Sequence, residues 1–126
     1  MTIDFKSLEN AITSLKDILA QPMDEYRRDG AIQRFEFTFE LSWKFIQRVL
    51  KEQGLVVASP QQALRSAFKA SWITDLDKWL AFQKHRNMAS HTYDQKMAEE
   101  VFDSAKEFPP HAEALLVFRP SKPRPI

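Results

Sequence analysis

Apolar residues return along this chain every third or fourth position, the period of an amphipathic α-helix. Phe5, Leu8, Ile12, Leu15 and Leu19 make the first stripe. It predicts a helix from Asp4 or Phe5 to about Ala20, with Asp4 as N-cap. Gln21-Pro22 ends it, because a proline disfavours helical geometry in the residue before it. A second helix is predicted to begin between Asp24 and Ala31 and to run to about Gln53, with Gly54 at the C′ position. On a helical wheel, Ile32, Phe35, Phe39, Trp43, Ile46, Val49 and Leu50 fill one arc of roughly 120°. Phe37, Leu41 and Phe45 fill a second arc on the far side. Glu36, Glu40, Lys44, Gln47 and Lys51 occupy the polar strip between them, and Thr38 and Ser42 interrupt the apolar surface.

A surface helix needs an apolar stripe of about 100° or a little more, so this helix carries more than one side of a small bundle can cover. Either it is central and buried on two sides within its own subunit, or one arc faces a partner subunit. The partner reading is favoured, because a chain of 126 residues has few other elements to do the covering.

Ser59-Pro60 marks a third, short helix, with serine at N-cap and proline at N1. It is expected to reach about Ala70 with Ala63, Leu64, Ala67 and Phe68 inward. A fourth helix starts near Thr74 or Asp75, with an acidic first turn, and runs to about Ser90. Leu76, Trp79, Leu80 and Gln83 mark one of its faces. A fifth starts near Thr92 or Asp94. Thr92 with Gln95 fits a capping box, and Asp94 is an equally good cap. Met97, Val101, Phe102 and Ala105 follow at helical spacing, and Pro109-Pro110 is expected to break or kink the element. Leu115 to Phe118 form a last apolar patch. Residues 119–126 hold three prolines and three cations and read as an extended tail.

The pattern predicts an all-α, up-and-down antiparallel bundle of four to five helices, dimeric, in one domain over residues 1–118. Composition agrees. The chain has only two glycines, Gly30 and Gly54, too few for the turns of an all-β domain of this size. It has no cysteine, which excludes disulfides, thiolate metal sites and cysteine nucleophiles and suits a reducing cytoplasm. The formal net charge is +1, whereas a dedicated nucleic-acid binder shows a strong basic excess. Any contact with RNA must therefore be local, or shared between subunits. The N-terminus lacks the basic and apolar regions of a signal peptide. No apolar run approaches the roughly 18 residues of a membrane span, so no membrane partner is expected.

Candidate chemistry gathers in Arg86-Asn87-Met88-Ala89-Ser90-His91-Thr92-Tyr93. On the fourth helix Arg86 falls about 20° from Trp79, between Trp79 and Phe82. A guanidinium cannot shed its charge, so in that position it needs an anion or several acceptors. A salt bridge to Glu36 or Glu40 would serve, and so would a bound phosphate, which matches the planar fork of arginine. His91 follows five positions later. In one continuous helix the two side chains would diverge by about 140°. They converge only if the helix ends near Ser90 or if a second subunit brings its own pair across a twofold axis. A histidine at such a place is, on spacing alone, more often a cap than a catalyst. His85 and His111 read as solvated. There is no Gly-rich phosphate loop, His-Glu-x-x-His pair or nucleophile elbow. The carboxylates, including Asp94, Glu99 and Glu100, read as helix charges, so neither a metal nor a cofactor is expected.

Arg86-(x)4-His91-x-Tyr93 is similar to the Arg-x4-His-x-Tyr motif of the HEPN superfamily. The stretch Arg28 to Lys44, with Trp43 near its end, resembles the second-helix signature of that superfamily's nucleotidyltransferase substrate-binding branch. This branch comprises the HepT-like toxin half of HEPN–nucleotidyltransferase toxin–antitoxin pairs. Ser59-Pro60, Ala67-Phe68-Lys69-Ala70 and Arg86 to Asp94 fit as well, so the resemblance spans roughly residues 4 to 118. It implies a dimeric helical bundle whose Arg–His motifs face a shared cleft, and metal-independent RNA cleavage in active members. Arg86 and His91 carry over as catalytic residues. Tyr93 carries over as the position where a cognate minimal nucleotidyltransferase antitoxin attaches AMP.

The implied chemistry is coherent. An imidazole at His91 takes a proton from a ribose 2′-hydroxyl, and Arg86 stabilises charge on the five-coordinate phosphate. Asn87 is a supporting residue that could orient either partner or the substrate. The products expected are a 2′,3′-cyclic phosphate and a 5′-hydroxyl. The rival expectation is a non-catalytic module that presents a surface to the nucleotidyltransferase, with Arg86 and His91 structural. The modest net charge leans toward the rival, and the intact triplet leans toward the enzyme.

Overall fold

The computed structural model describes residues 5–118, and all of its regular structure is helical. The expected N-cap Asp4 and the tail 119–126 lie outside the described residues. Five α-helices follow one another: α1 (Phe5–Leu19), α2 (Glu25–Glu52), α3 (Pro60–Lys69), α4 (Leu76–Met88) and α5 (Gln95–Phe118). A 3-10 turn at Ala89–His91 joins α4 to the α5 cap. The long α2 is the hub and packs against all four other helices.

Caps set the boundaries. Asp24 accepts from the Arg27 amide, Ser59 from the Gln62 amide and Asp75 from the Lys78 amide, each satisfying a free donor of a first helical turn. After α2, the Leu55 amide donates to the Leu50 carbonyl and the Gly54 amide to the Lys51 carbonyl. This is a Schellman ending, and Gly54 adopts the φ of +88° that it requires. Asp94 caps α5 through the Lys96 and Met97 amides, so of the two expected caps there it is Asp94 that acts. Thr92 instead closes the 3-10 turn.

The first arc of α2 is wholly buried, from Ile32 to Leu50. Phe35, Phe39, Trp79, Phe82 and Phe108 form an aromatic centre joining α2, α4 and α5, with neighbouring ring centroids 5.1–6.5 Å apart. Such tilted and edge-on pairs add to the free energy of area burial. Thr38 and Ser42, also fully buried, turn their hydroxyls onto backbone carbonyls: Thr38 to Arg34 and Ala11, Ser42 to Thr38. The polar interruptions are thereby satisfied, and the Thr38 bond ties α2 to α1.

Several expectations are corrected. The second arc of α2 is partly used inside the subunit: Phe45 is buried and packs on Phe5 of α1 at 5.2 Å, while Phe37 stays 41% exposed. Phe68 faces outward at 44% exposure rather than inward. On α4 the buried positions are Trp79 and Phe82, so Gln83 lies at the edge of the buried face. Of the break or kink expected at Pro109-Pro110, the break does not occur, and α5 continues through the pair to Phe118. Each proline removes one backbone donor and strains the preceding turn, about 3 kcal/mol in a helix interior. Phe108, Ala112 and Leu115, all fully buried on either side of the pair, lock the element on by packing, which offsets that loss.

Candidate functional site

The site lies where α4 gives way to α5. Trp79 and Phe82 anchor α4 in the aromatic centre, which positions Arg86 about two turns beyond Trp79 and one beyond Phe82. Its Nη2 meets Glu40 Oε2 of α2 at 3.1 Å. Of the two carboxylates that sequence could nominate, Glu40 is the partner. The same carboxylate accepts from Trp43 Nε1 at 3.0 Å and lies 3.4 Å from Lys44 Nζ. Burial alone would raise the Glu40 carboxyl. The Trp43 hydrogen bond, followed by the charges of Arg86 and Lys44, holds it below its ordinary value instead. Glu40 is therefore an ionised hub for two cations.

Arg86 is not fully engaged. Its Nε is buried with no hydrogen-bond acceptor, while the side chain as a whole is 33% exposed.

His91 and Tyr93 stand together at the junction. α4 ends at Met88, ahead of His91, which sits exposed on the last residue of the 3-10 turn. The His91 and Tyr93 rings meet edge to face at 6.0 Å, and Tyr93 is 87% exposed. Asn87 is also exposed. Among the described residues no hydrogen bond joins Arg86 to His91, so the structure brings His91 to Tyr93 and Arg86 to Glu40 as two separate pairs. No group of three histidine or carboxylate side chains among the described residues is arranged to hold a metal ion.

The other two histidines are not solvated as expected. His85 Nδ1 bonds the Oγ of Ser104, a buried residue of α5. Burial pushes the His85 pKa below its ordinary value, with a smaller contribution from Lys84 in the same direction. His111 packs edge-on against Phe82 at 5.1 Å and Trp79 at 6.4 Å. Neither contact has a local signal, because both depend on which helix faces which.

Comparison with known proteins places this geometry in context. Residues 3–118 match the family described as nucleotidyltransferase substrate binding protein like. The chain is 34% identical over 114 residues to a Haemophilus influenzae protein named probable ribonuclease HepT, covering 82% of this chain and 78% of that one. A crystal structure of a Thermus thermophilus protein superposes with a TM-score of 0.83 at 32% identity, covering 91% of this chain and 99% of that one. A second structure, from Haemophilus influenzae, is described as revealing the fold of a substrate binding domain of a nucleotidyltransferase. Its TM-score is 0.81 at 30% identity, over 91% of this chain and 98% of that one. No helix among the described residues is long and apolar enough to cross a membrane.

Proposed function

The chain belongs to the nucleotidyltransferase substrate-binding protein family, and from that premise we propose that it is a HEPN toxin-type ribonuclease, acting as a homodimer and silenced by AMP transfer to Tyr93. The observation that carries this reading is the Arg86 side chain, one third exposed, at the same helix junction as the exposed His91. His91 takes the proton of a ribose 2′-hydroxyl. The 2′-oxygen attacks the adjacent phosphorus, the bond from phosphorus to the 5′-oxygen breaks, and the departing oxygen takes up a proton. The products are a 2′,3′-cyclic phosphate and a 5′-hydroxyl. Arg86 stabilises the charge that builds on the non-bridging oxygens, and Asn87 supports substrate orientation.

Within one subunit Arg86 and His91 form separate pairs, so the working cleft is taken to be shared between two copies. A cognate minimal nucleotidyltransferase closes the cleft by placing AMP on Tyr93. Bulk and negative charge then stand against the His91 ring and repel the RNA backbone. The relative named as a ribonuclease supports the chemistry, and the family description supports the nucleotidyltransferase partner.

The Glu40–Arg86 pair also favours a second reading, in which Arg86 is structural and the chain is a non-catalytic partner module. An RNA cleavage assay separates them. The wild type should cut RNA in the presence of EDTA, and Arg86→Ala and His91→Ala should each lower the rate by ~10² or more, given the usual size of electrostatic and general-base contributions. Undiminished cleavage in both folded variants, or no cleavage by the wild type, sinks the ribonuclease reading.

A further inference from the structure

Beside the site, the C-terminal half of α2 and the loop before α3 enclose a groove of about 420 Å³. Lys44, Gln47, Arg48, Lys51, Val56 and Val57 line it. Three cations and no carboxylate face this space, in a protein whose net charge is only +1. Their spacings of four and three put them on one face of α2, and Lys44 to Lys51 spans about 10 Å of helix axis. The opposite wall is built in place: Gln47 Nε2 donates to the Val57 carbonyl at 2.9 Å. Val57 is buried beneath the wall, whereas Val56 is 80% exposed at its lip. Glu40 links the groove to the site, because one of its oxygens meets Arg86 and the other lies 3.4 Å from Lys44 of the groove lining.

From this juxtaposition we infer that the α2 groove is the track for the phosphate backbone of a single-stranded RNA whose scissile phosphate lies at Arg86. The inference rests on the reading of the Arg86–His91 site as RNA-cutting, and it extends that site by a binding segment. Cations in a row along a helix neutralise successive phosphates without reading sequence. Glu40 at the near end keeps Arg86 and Lys44 aligned. The apolar lip at Val56 gives a ribose or base face a dry contact. The arrangement bears on the difficulty raised by composition, since it gathers three cations into one strip of a protein of low net charge.

The test measures binding separately from cutting. A 5′-fluorescein single-stranded RNA is titrated with the His91→Ala protein, and with that protein carrying Lys51→Gln or Arg48→Gln plus Lys51→Gln, across a salt series. Lys16→Gln, which removes a cation paired with Glu113 on another face, is the control. The expected result is a several-fold loss of affinity at low salt. The slope of log K against log salt should flatten by about 0.7 for each groove cation removed, and Lys16→Gln should leave it as it was. In the cutting-competent background, Lys51→Gln should raise KM and leave kcat as it is. Slopes equal to that of the control overturn the inference even if the wild type cuts RNA. If groove variants bind RNA normally but lose affinity for a nucleotidyltransferase partner, the groove is a protein-docking surface and the inference is likewise overturned. If the wild type cuts nothing yet the slopes flatten as stated, the groove assignment stands and the cleavage reading falls.

Discussion

Arg86 of α4 and Glu40 of α2 meet at 3.1 Å, 46 positions apart in sequence, and Glu40 in turn holds Trp43 and Lys44. One carboxylate thus fixes the arginine of the site, an indole of the core and the first cation of the α2 groove. The ring of interactions is part-exposed, so its worth lies in alignment more than in stability.

Glu40→Gln keeps an acceptor for Trp43 but removes the charge. It should lower stability by roughly 1 kcal/mol at neutral pH. The carboxyl is held below its ordinary value in the fold, so the unfolded chain takes up the proton first as pH falls. The contribution is therefore present above the ordinary glutamate range and lost below it. The gap in Tm between wild type and Glu40→Gln should be open at pH ~7 and closed at pH ~3. A gap independent of pH would show that Glu40 is not acting as a charge.

Tyr93 should accept AMP when the protein is incubated with its nucleotidyltransferase, ATP and magnesium. Its 87% exposure leaves the phenol accessible to a second enzyme. Intact mass should rise by AMP on the wild type and not on Tyr93→Phe, and the modified protein should lose RNA cleavage. An unchanged adduct on Tyr93→Phe would place the modification elsewhere.

His85 makes the opposite kind of contribution to an ion-paired histidine. Its pKa is lowered in the fold by burial, so the unfolded chain protonates first as pH falls through the ordinary histidine value. Stability should therefore rise with pH across the window just below ~6.5 and level off above it. His85→Gln, which can still bond Ser104, should flatten the Tm profile between pH ~5 and ~7. A wild-type profile already flat there would count against the buried neutral imidazole.

Phe37 remains on the α2 face that α1 does not fully cover. The wild type should sediment as a dimer at micromolar concentration, and Phe37→Asp should shift it toward monomer without changing far-UV circular dichroism. A wild type that is monomeric by light scattering would remove the shared-cleft arrangement.

Local chemistry determined the elements of this protein. The stripes at three and four, the caps Ser59, Asp75 and Asp94, and Gly54 after α2 all act within a turn or two of their own positions, which is why they are legible in one dimension. The candidate segment was legible too, because Arg86, His91 and Tyr93 sit within eight residues. Tertiary structure alone decided what needs two elements at once. It chose Glu40 over Glu36 for Arg86, buried Phe45 under Phe5, turned Phe68 outward, set His85 on Ser104, and gathered Lys44, Arg48 and Lys51 against the loop at Val56. It also overrode the strongest local signal in the chain. Proline's penalty at 109 and 110 is fixed by its own ring and its missing donor. The compensation comes from Phe108, Ala112 and Leu115 packing against helices distant in sequence, and no local pattern can weigh one against the other.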